Sequence, residues 1–260
     1  MEDIATVSPV FRALAAHPNY LITAWTALKP NAQTAFFEHQ ADALRRAAVE
    51  GVAPFGRPPV GDESRSALIR ALHYIEPKVF LATVALRTAT NGALPTMQYL
   101  LPEEKRQIAP GPVQEMAEVT YADPDSFDER SAAVVREIVE TTGQRTLGAE
   151  YRALASNPDT LEHAWAALRP AVAQPQYRAL QRSLRLRAES AVATLPFRMD
   201  IAPHVLRQSG LSESEIDAVR QTLADLLTGA AATVINVSLL ATGTLGPEEA
   251  LASPFPPPLL

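Results

Sequence analysis

Two carboxylates in otherwise apolar surroundings are the residues of this sequence best suited to chemistry. Glu150 directly precedes the segment Y-R-A-L-A, whereas Val10 precedes the related segment F-R-A-L-A near the start of the chain. A partly buried carboxylate can take a proton from water and so act as a general base. The alternative is an acid at a helix N-terminus, where the macrodipole favours negative charge. The difference between the two segments favours the catalytic role for Glu150.

Glu76, the second carboxylate, stands just before Pro77 and a long apolar run. One interpretation is a charge in the first turn of the following helix. In the other, Glu76 faces Glu150, and the two carboxyl groups then cannot both ionise easily, so one holds a proton near neutrality. A further alternative is that both serve as hard oxygen ligands for a divalent ion.

Several polar and aromatic residues are candidates for a pocket around these acids. Tyr151 follows Glu150, and Tyr74 comes shortly before Glu76. Asn236 lies within an apolar segment, where a buried amide must find a partner or cost free energy. We therefore predict Tyr151, Tyr74 and Asn236 as substrate-binding residues. Trp25 and Trp165 occupy equivalent positions, which favours the core for both.

These residues belong to an internal duplication, in which the stretches 10–30 and 150–170 are related by an offset of 140. Eleven of the twenty positions from Phe11 to Pro30 are identical to their counterparts. Chance does not produce such a match within one chain, so the pattern indicates a tandem repeat.

Each copy must consist of helices. His17-Pro18 and its counterpart Asn157-Pro158 should interrupt the first helix, because Pro disfavours the helical conformation in the residue before it. Asn19 and Asp159 are candidate caps of the next helix. Apolar residues then recur at helical spacing, and we expect Pro30 and Pro170 to end that helix. A third helix is predicted at about 33–52 and again at about 174–193.

The last helix of each copy is almost wholly apolar, over 79–89 and 228–241, which is typical of a buried central helix. Polar residues that begin this last helical region are predicted at 61–64 and at 211–215, where Ser212 and Glu215 have capping-box spacing. No alternating run of strand length stands out. The sequence therefore predicts an all-α fold in which a duplicated helical repeat forms an intrachain pseudo-dimer. Its parts are a first repeat at 1–92, a Pro-rich crossover linker at 93–128 and a second repeat at 129–260.

Composition excludes several classes of function. The net charge of −6 argues against nucleic acid as a partner. Without cysteine, disulfides, thiolate catalysis and zinc–thiolate sites are excluded. The five histidines lack metal-ligand spacing, and no glycine-rich phosphate loop is present, so neither a metal nor a cofactor is predicted. The apolar run 230–241 is too short to span a bilayer, so we expect a cytoplasmic protein with no membrane partner.

A set of short motifs in order resembles the group I 2-haloacid dehalogenases, the D- and DL-specific family. The matching pieces are Pro18-Asn19-Tyr20-Leu21, Glu76-Pro77-Lys78, Ala153-Leu154-Ala155 and Ser253-Pro254-Phe255-Pro256. The resemblance implies an all-α tandem repeat with its active site between the repeats. It also implies a reaction in which an Asp activates water to displace halide at C2, with inversion and no ester intermediate, while an Asn holds that water.

By position, the family's Asp falls on Glu150 and its Asn on Glu76. The residue before the Asp is Ala149 here, and a family Tyr falls near Leu226, which joins the predicted substrate-binding residues. The first hypothesis is accordingly a hydrolase with Glu150 as the base, acting on a small carboxylic acid such as a halogenated one. The second is a non-catalytic or altered-substrate ligand-binding module with the same fold. A homodimer is left open.

Overall fold

The structure, a computed structural model, describes residues 6–58, 65–92, 101–109, 111, 113 and 115–255. Within these residues eleven α-helices follow one another along the chain. They are α1 (Pro9–Leu14), α2 (Pro18–Ala32), α3 (Ala35–Val52), α4 (Ser66–Asn91), α5 (Glu129–Thr142), α6 (Ala149–Leu154), α7 (Pro158–Val172), α8 (Pro175–Val192), α9 (Pro203–Gln208), α10 (Glu213–Thr244) and α11 (Pro247–Leu251). No strand occurs in these ranges apart from one isolated bridge between Thr34 and Gln107. The predicted all-α class is confirmed.

Three consecutive helices of each half have the same bounds after the offset of 140. The pairs are α1 with α6, α2 with α7 and α3 with α8. The break at each His/Asn-Pro pair is also where we predicted it. The predicted caps are wrong by two residues, because Pro18 and Pro158 occupy the first helical position and His17 and Asn157 are the N-caps.

The prediction that Pro30 and Pro170 end their helices is also wrong. Both lie inside the last turn, and α2 and α7 continue to Ala32 and Val172. A proline at this position removes only one backbone hydrogen bond of the helix. Each helix ends two residues later, so no further turn is disrupted.

The two longest helices, α4 and α10, pack against each other at the centre of the molecule and make the most extensive helix–helix contact. The apolar runs predicted as buried are indeed buried, but each helix begins more than ten residues earlier, in an amphipathic segment. Ser212 and Glu215 form the predicted capping box at the start of α10. Pro77 lies inside α4, so Glu76 is not in the first turn of a helix, and that interpretation is wrong.

By length and composition α10 is the one described helix that could cross a membrane, with a window of mean hydropathy 1.6. However, 72% of that window is buried inside the protein. A buried core helix has the same properties, so this is weak support for a membrane span.

The segment between the halves is tied to both. The backbone of residues 104–108 bonds to the residues around the start of α3, where Thr34 accepts a hydrogen bond from the Phe37 N–H. Farther along, Arg12 donates to the carbonyl of Tyr121 at 2.9 Å, and its counterpart Arg152 donates to the carbonyl of Ala122 at 3.0 Å. Equivalent arginines of the two halves therefore hold neighbouring residues of this segment.

One hydrophobic cluster contains residues of both halves, including Leu28 and Leu168, which are buried as their spacing predicts. The core placement is right for Trp165, which is 3% exposed, and wrong for Trp25, which is 45% exposed. Trp25 packs only one edge against Phe11 and otherwise borders a surface cleft. The predicted polar start at 61–64, together with 1–5, 93–100 and Pro256, lies outside the described residues.

Candidate active site

Glu150 is fully buried in the first turn of the short helix α6, and side chains of α10 hold its carboxylate. Thr233 donates its hydroxyl to Glu150 Oε2 at 2.7 Å, and Asn236 donates its amide to Oε1 at 2.7 Å. Thr233 and Asn236 are three residues apart, so both project from the same side of α10. The carboxylate is thereby fixed in position by both of its oxygens.

The surroundings of Glu150 act on its pKa in opposite directions. Burial is the largest influence and raises the pKa, because it disfavours the charged form. The hydrogen bonds from Asn236 and Thr233, and those from the backbone of Glu150 and Tyr151, stabilise the anion and oppose the rise. A raised pKa brings a carboxylate nearer to the strength that a general base needs at working pH.

Gly148, the N-cap of α6, lies directly beneath this carboxylate. A Cβ atom at position 148 would collide with Glu150 Oε2 and with the carboxyl carbon. The backbone at Gly148 has φ −57°, which any residue can adopt. A larger residue at position 148 would therefore displace the Glu150 carboxylate, whereas the backbone conformation itself does not demand glycine.

The Asn236 amide also connects Glu150 to two buried tyrosines. Its nitrogen lies 3.1 Å from the Tyr151 hydroxyl, and its carbonyl oxygen accepts a hydrogen bond of 2.6 Å from Tyr177. The Tyr177 bond orients the amide so that its nitrogen faces the Glu150 carboxylate. Asn236 therefore has the partner that its buried position demands.

Glu76 is also buried. It lies on the central helix α4, close enough to Glu150 on α6 for the two charges to interact. Tyr121, from the segment between the halves, donates its hydroxyl to Glu76 Oε1 at 3.1 Å. Burial and the negative charge of Glu150 raise the pKa of Glu76 to about 8, against the smaller lowering effect of the Tyr121 hydrogen bond. At neutral pH Glu76 is thus mainly a neutral acid.

A small cleft of about 40 Å³ borders Glu76 and the residues around Glu150. That volume holds a few water molecules, since a single one needs roughly 10–15 Å³ measured in this way. Glu76 and Thr233 line it, and so do Gly148 and Ala149, the two residues before Glu150. Val10, the counterpart of Glu150, lies in the same wall. The cleft is therefore bordered by both halves of the chain.

The structure brings most of the predicted site residues together. Glu150, Tyr151 and Asn236 share one hydrogen-bond network, and Leu226 lines the cleft with Glu76. Tyr74 is the exception. It borders a larger cleft of about 360 Å³, where Lys78 lies 3.3 Å above its ring and forms a 2.7 Å ion pair with Glu38.

Sequence reasoning missed Thr233, Tyr177, Gly148 and Tyr121 as parts of this site. A signal for Tyr177 was nevertheless present in the duplication. Val10, Phe11 and Phe37 are apolar, and their counterparts at the offset of 140 are Glu150, Tyr151 and Tyr177. The polar groups gained in the second half all meet at Asn236. No comparable signal exists for Tyr121, which lies outside the repeated helices.

The two acids are a poor pair of metal ligands. Both oxygens of Glu150 already accept hydrogen bonds, and the groups around it are donors rather than further ligands. The part of the chain that the structure describes contains no group of three or more His, Cys, Asp or Glu residues placed to hold a metal ion.

Comparison with known proteins gives a consistent result. Residues 6–72 match the protein family described as halocarboxylic acid dehydrogenase DehI. The chain is 26% identical over 252 residues to an (R)-2-haloacid dehalogenase of Pseudomonas putida, covering 89% of this chain and 81% of that protein. It is also 26% identical over 208 residues to an (R)-2-haloacid dehalogenase of Rhizobium sp. (strain NHG3), covering 75% of this chain and 79% of that protein.

Among solved structures, a D-2-haloacid dehalogenase in complex with L-LA superimposes with a TM-score of 0.81. The match covers 92% of this chain and 89% of that one at 22% identity, and it shows that the two share a fold. Sequence and fold similarity thus both point to the 2-haloacid dehalogenases. The resemblance found in the sequence is confirmed: the chain is a divergent, DehI-like relative of the group I 2-haloacid dehalogenases.

Proposed function

We propose that this protein is a hydrolase that displaces halide from C2 of a 2-halocarboxylic acid, with Glu150 as the general base. Its relatives are 2-haloacid dehalogenases, and Glu150, onto which the resemblance places the family's Asp, is a buried carboxylate. The substrate is a small carboxylic acid, and its hydrolysis product is the corresponding 2-hydroxy acid.

The reaction needs one water molecule between Glu150 and the substrate. Glu150 takes a proton from the water as its oxygen forms a bond to C2, and the carbon–halogen bond breaks with its electron pair leaving on the halide. Attack from the side opposite the leaving group inverts C2. The proton then passes from Glu150 to solvent, which restores the carboxylate without a covalent intermediate.

The observation that carries this proposal is the fixed position of the Glu150 carboxylate beside a cleft that both halves border. Thr233 and Asn236 bind its oxygens, so the carboxylate is oriented before any substrate enters. Such preorganisation is what a general base requires. A non-catalytic module, the alternative function, would have Glu150 facing solvent and a collapsed core between the halves. Glu150 is instead buried, and its neighbours Ala149 and Thr233 line a cleft.

The test is halide release from a panel of D- and L-2-haloacids by the wild-type protein and by the Glu150→Gln variant. Turnover by wild type and its loss in the variant would support the proposal. Turnover that survives in the variant would eliminate Glu150 as the base. Absence of turnover by wild type on every haloacid would favour the ligand-binding module.

The wider organisation is part of the same proposal. We propose that the two halves arose by tandem duplication and form a pseudo-dimer, with the repeats at 1–92 and 129–260 and the linker between them. The matching bounds of three helix pairs support this. A cytoplasmic location and a homodimer remain predictions, and the net charge of −6 remains the argument against nucleic acid.

A further inference from the structure

We propose that Glu76 acts as a neutral carboxylic acid whose Oε2–H donates a hydrogen bond to the carboxylate of the anionic substrate, so that substrate binds only while Glu76 is protonated. This rests on the proposed function, because it concerns the same cleft and the same substrate class. It assigns to Glu76 a substrate-binding role that an ionised acid could not perform.

The position of the proton follows from the Tyr121 hydrogen bond. With Tyr121 donating to Glu76 Oε1, Oε1 is the accepting, carbonyl-type oxygen and the proton lies on Oε2. Among the described residues, the hydrogen-bond partner of the Glu76 carboxyl group is Tyr121, and its bond goes to Oε1 rather than to Oε2. Glu76 lines the cleft, and Oε2 is the oxygen available to a molecule bound there.

The number of donors decides which of the two acids keeps a proton. Glu150 accepts hydrogen bonds from Thr233 and Asn236 and from the first turn of α6, all of which stabilise its anion. Glu76 has the single donor Tyr121 and lies in the field of Glu150. Glu150 therefore ionises first, and Glu76 retains its proton at neutral pH.

The charges around the cleft make a neutral donor necessary. The described residues that line it include no Lys, Arg or His, although a 2-haloacid is an anion above about pH 5. The titratable groups near Glu76 are Glu150 on α6 and Tyr121 from the linker, with Arg12 of α1 beyond the Tyr121 ring. From α10 the cleft receives Leu226, Gly229, Ala230 and Thr233, none of which titrates. An ionised Glu76 would place a second negative charge against the substrate.

The kinetic test compares wild type with Glu76→Gln between pH 6 and pH 10, using 2-chloropropanoate. The amide accepts from Tyr121 with its oxygen and presents an N–H donor to the cleft at every pH. For wild type, KM should be constant below about pH 7 and rise about tenfold for each pH unit above pH 8. For Glu76→Gln it should stay low and flat, while kcat of both proteins still follows the ionisation of Glu150.

A binding test separates this inference from the proposed function, because it requires no turnover. Titration calorimetry with lactate in buffers of different ionisation enthalpy measures the protons taken up on binding. Wild type should take up about half a proton per lactate at pH 8, and Glu76→Gln none. Glu76→Leu, which has no donor, should bind lactate at least tenfold more weakly than Glu76→Gln at pH 6.

Three results would overturn the inference even if halide release is observed. They are a wild-type KM that does not change with pH, the same rise of KM in Glu76→Gln, and lactate binding without proton uptake at pH 8. Failure of wild type to bind lactate at pH 6 would overturn it as well. Loss of halide release with normal proton uptake would instead refute only the proposed catalysis.

Discussion

Replacing Glu76 by Gln should change how the stability of the protein depends on pH. The pKa of Glu76 is raised from 4.5 to about 8 in the folded protein. Between these values the folded state keeps a proton that the unfolded state has lost. Stability must then fall as pH rises through this window, because the unfolded state binds fewer protons than the folded state.

The size of the effect follows from the shift. Each pKa unit corresponds to about 1.36 kcal/mol, so a shift from 4.5 to about 8 amounts to at most about 5 kcal/mol between pH 4.5 and pH 8. Water in the adjoining cleft will solvate the ionised acid and reduce this figure, so we expect about 2–5 kcal/mol. Burial of Glu150 adds to the same trend in both proteins.

The assay is urea unfolding of wild type and Glu76→Gln at pH 5, 7 and 9. The variant keeps the Tyr121 hydrogen bond through its amide oxygen, and the two proteins should be similar at pH 5. At pH 9 the variant should be more stable by a few kcal/mol. Glu140→Gln is the control, because this side chain on α5 is exposed and should leave the wild-type pH dependence unchanged. Parallel stability curves for wild type and Glu76→Gln would refute the burial argument.

Three further predictions concern the base and the core. Glu150→Gln should stay folded, because its amide oxygen can accept from Asn236 while its nitrogen donates to the Thr233 hydroxyl. Its kcat for halide release should fall roughly a hundredfold or more. A circular dichroism spectrum and a melting curve check the fold. Gly148→Ala should lower kcat with a smaller effect on KM, because the new Cβ displaces the Glu150 carboxylate, and equal kcat values would contradict this. Leu28→Ala and Leu168→Ala should each lower the free energy of unfolding by about 2–5 kcal/mol, and losses below about 0.5 kcal/mol at both positions would show that they do not support the core.

Features that depend on local sequence were predicted well. The breaks before Pro18 and Pro158, the capping box at Ser212 and the buried apolar runs all follow from backbone restrictions or from helical periodicity. The errors lie at helix ends. Packing against the rest of the chain decides where a helix begins and ends. For this reason α2 continues past Pro30, and α4 begins well before its apolar run.

The two tryptophans mark the limit of arguments from the repeat. Trp25 and Trp165 have equivalent positions in the two repeated segments, yet one is half exposed and the other buried. Burial depends on the neighbours that the rest of the chain supplies, and the halves have different neighbours. Tyr74 was predicted from its place in the chain shortly before Glu76, but its side chain borders another cleft.

By itself the sequence determined the helical class, the offset of 140 between the repeated segments and the acid that distinguishes the second copy from the first, because these are properties of residue order. Only the tertiary structure decided which groups surround that acid. Thr233, Asn236 and Tyr177 are distant from Glu150 in the chain and meet it because α6, α8 and α10 pack together. Tyr121 reaches Glu76 from a segment without repeat or periodicity, so its contact, and with it the position of the proton, depends on packing alone.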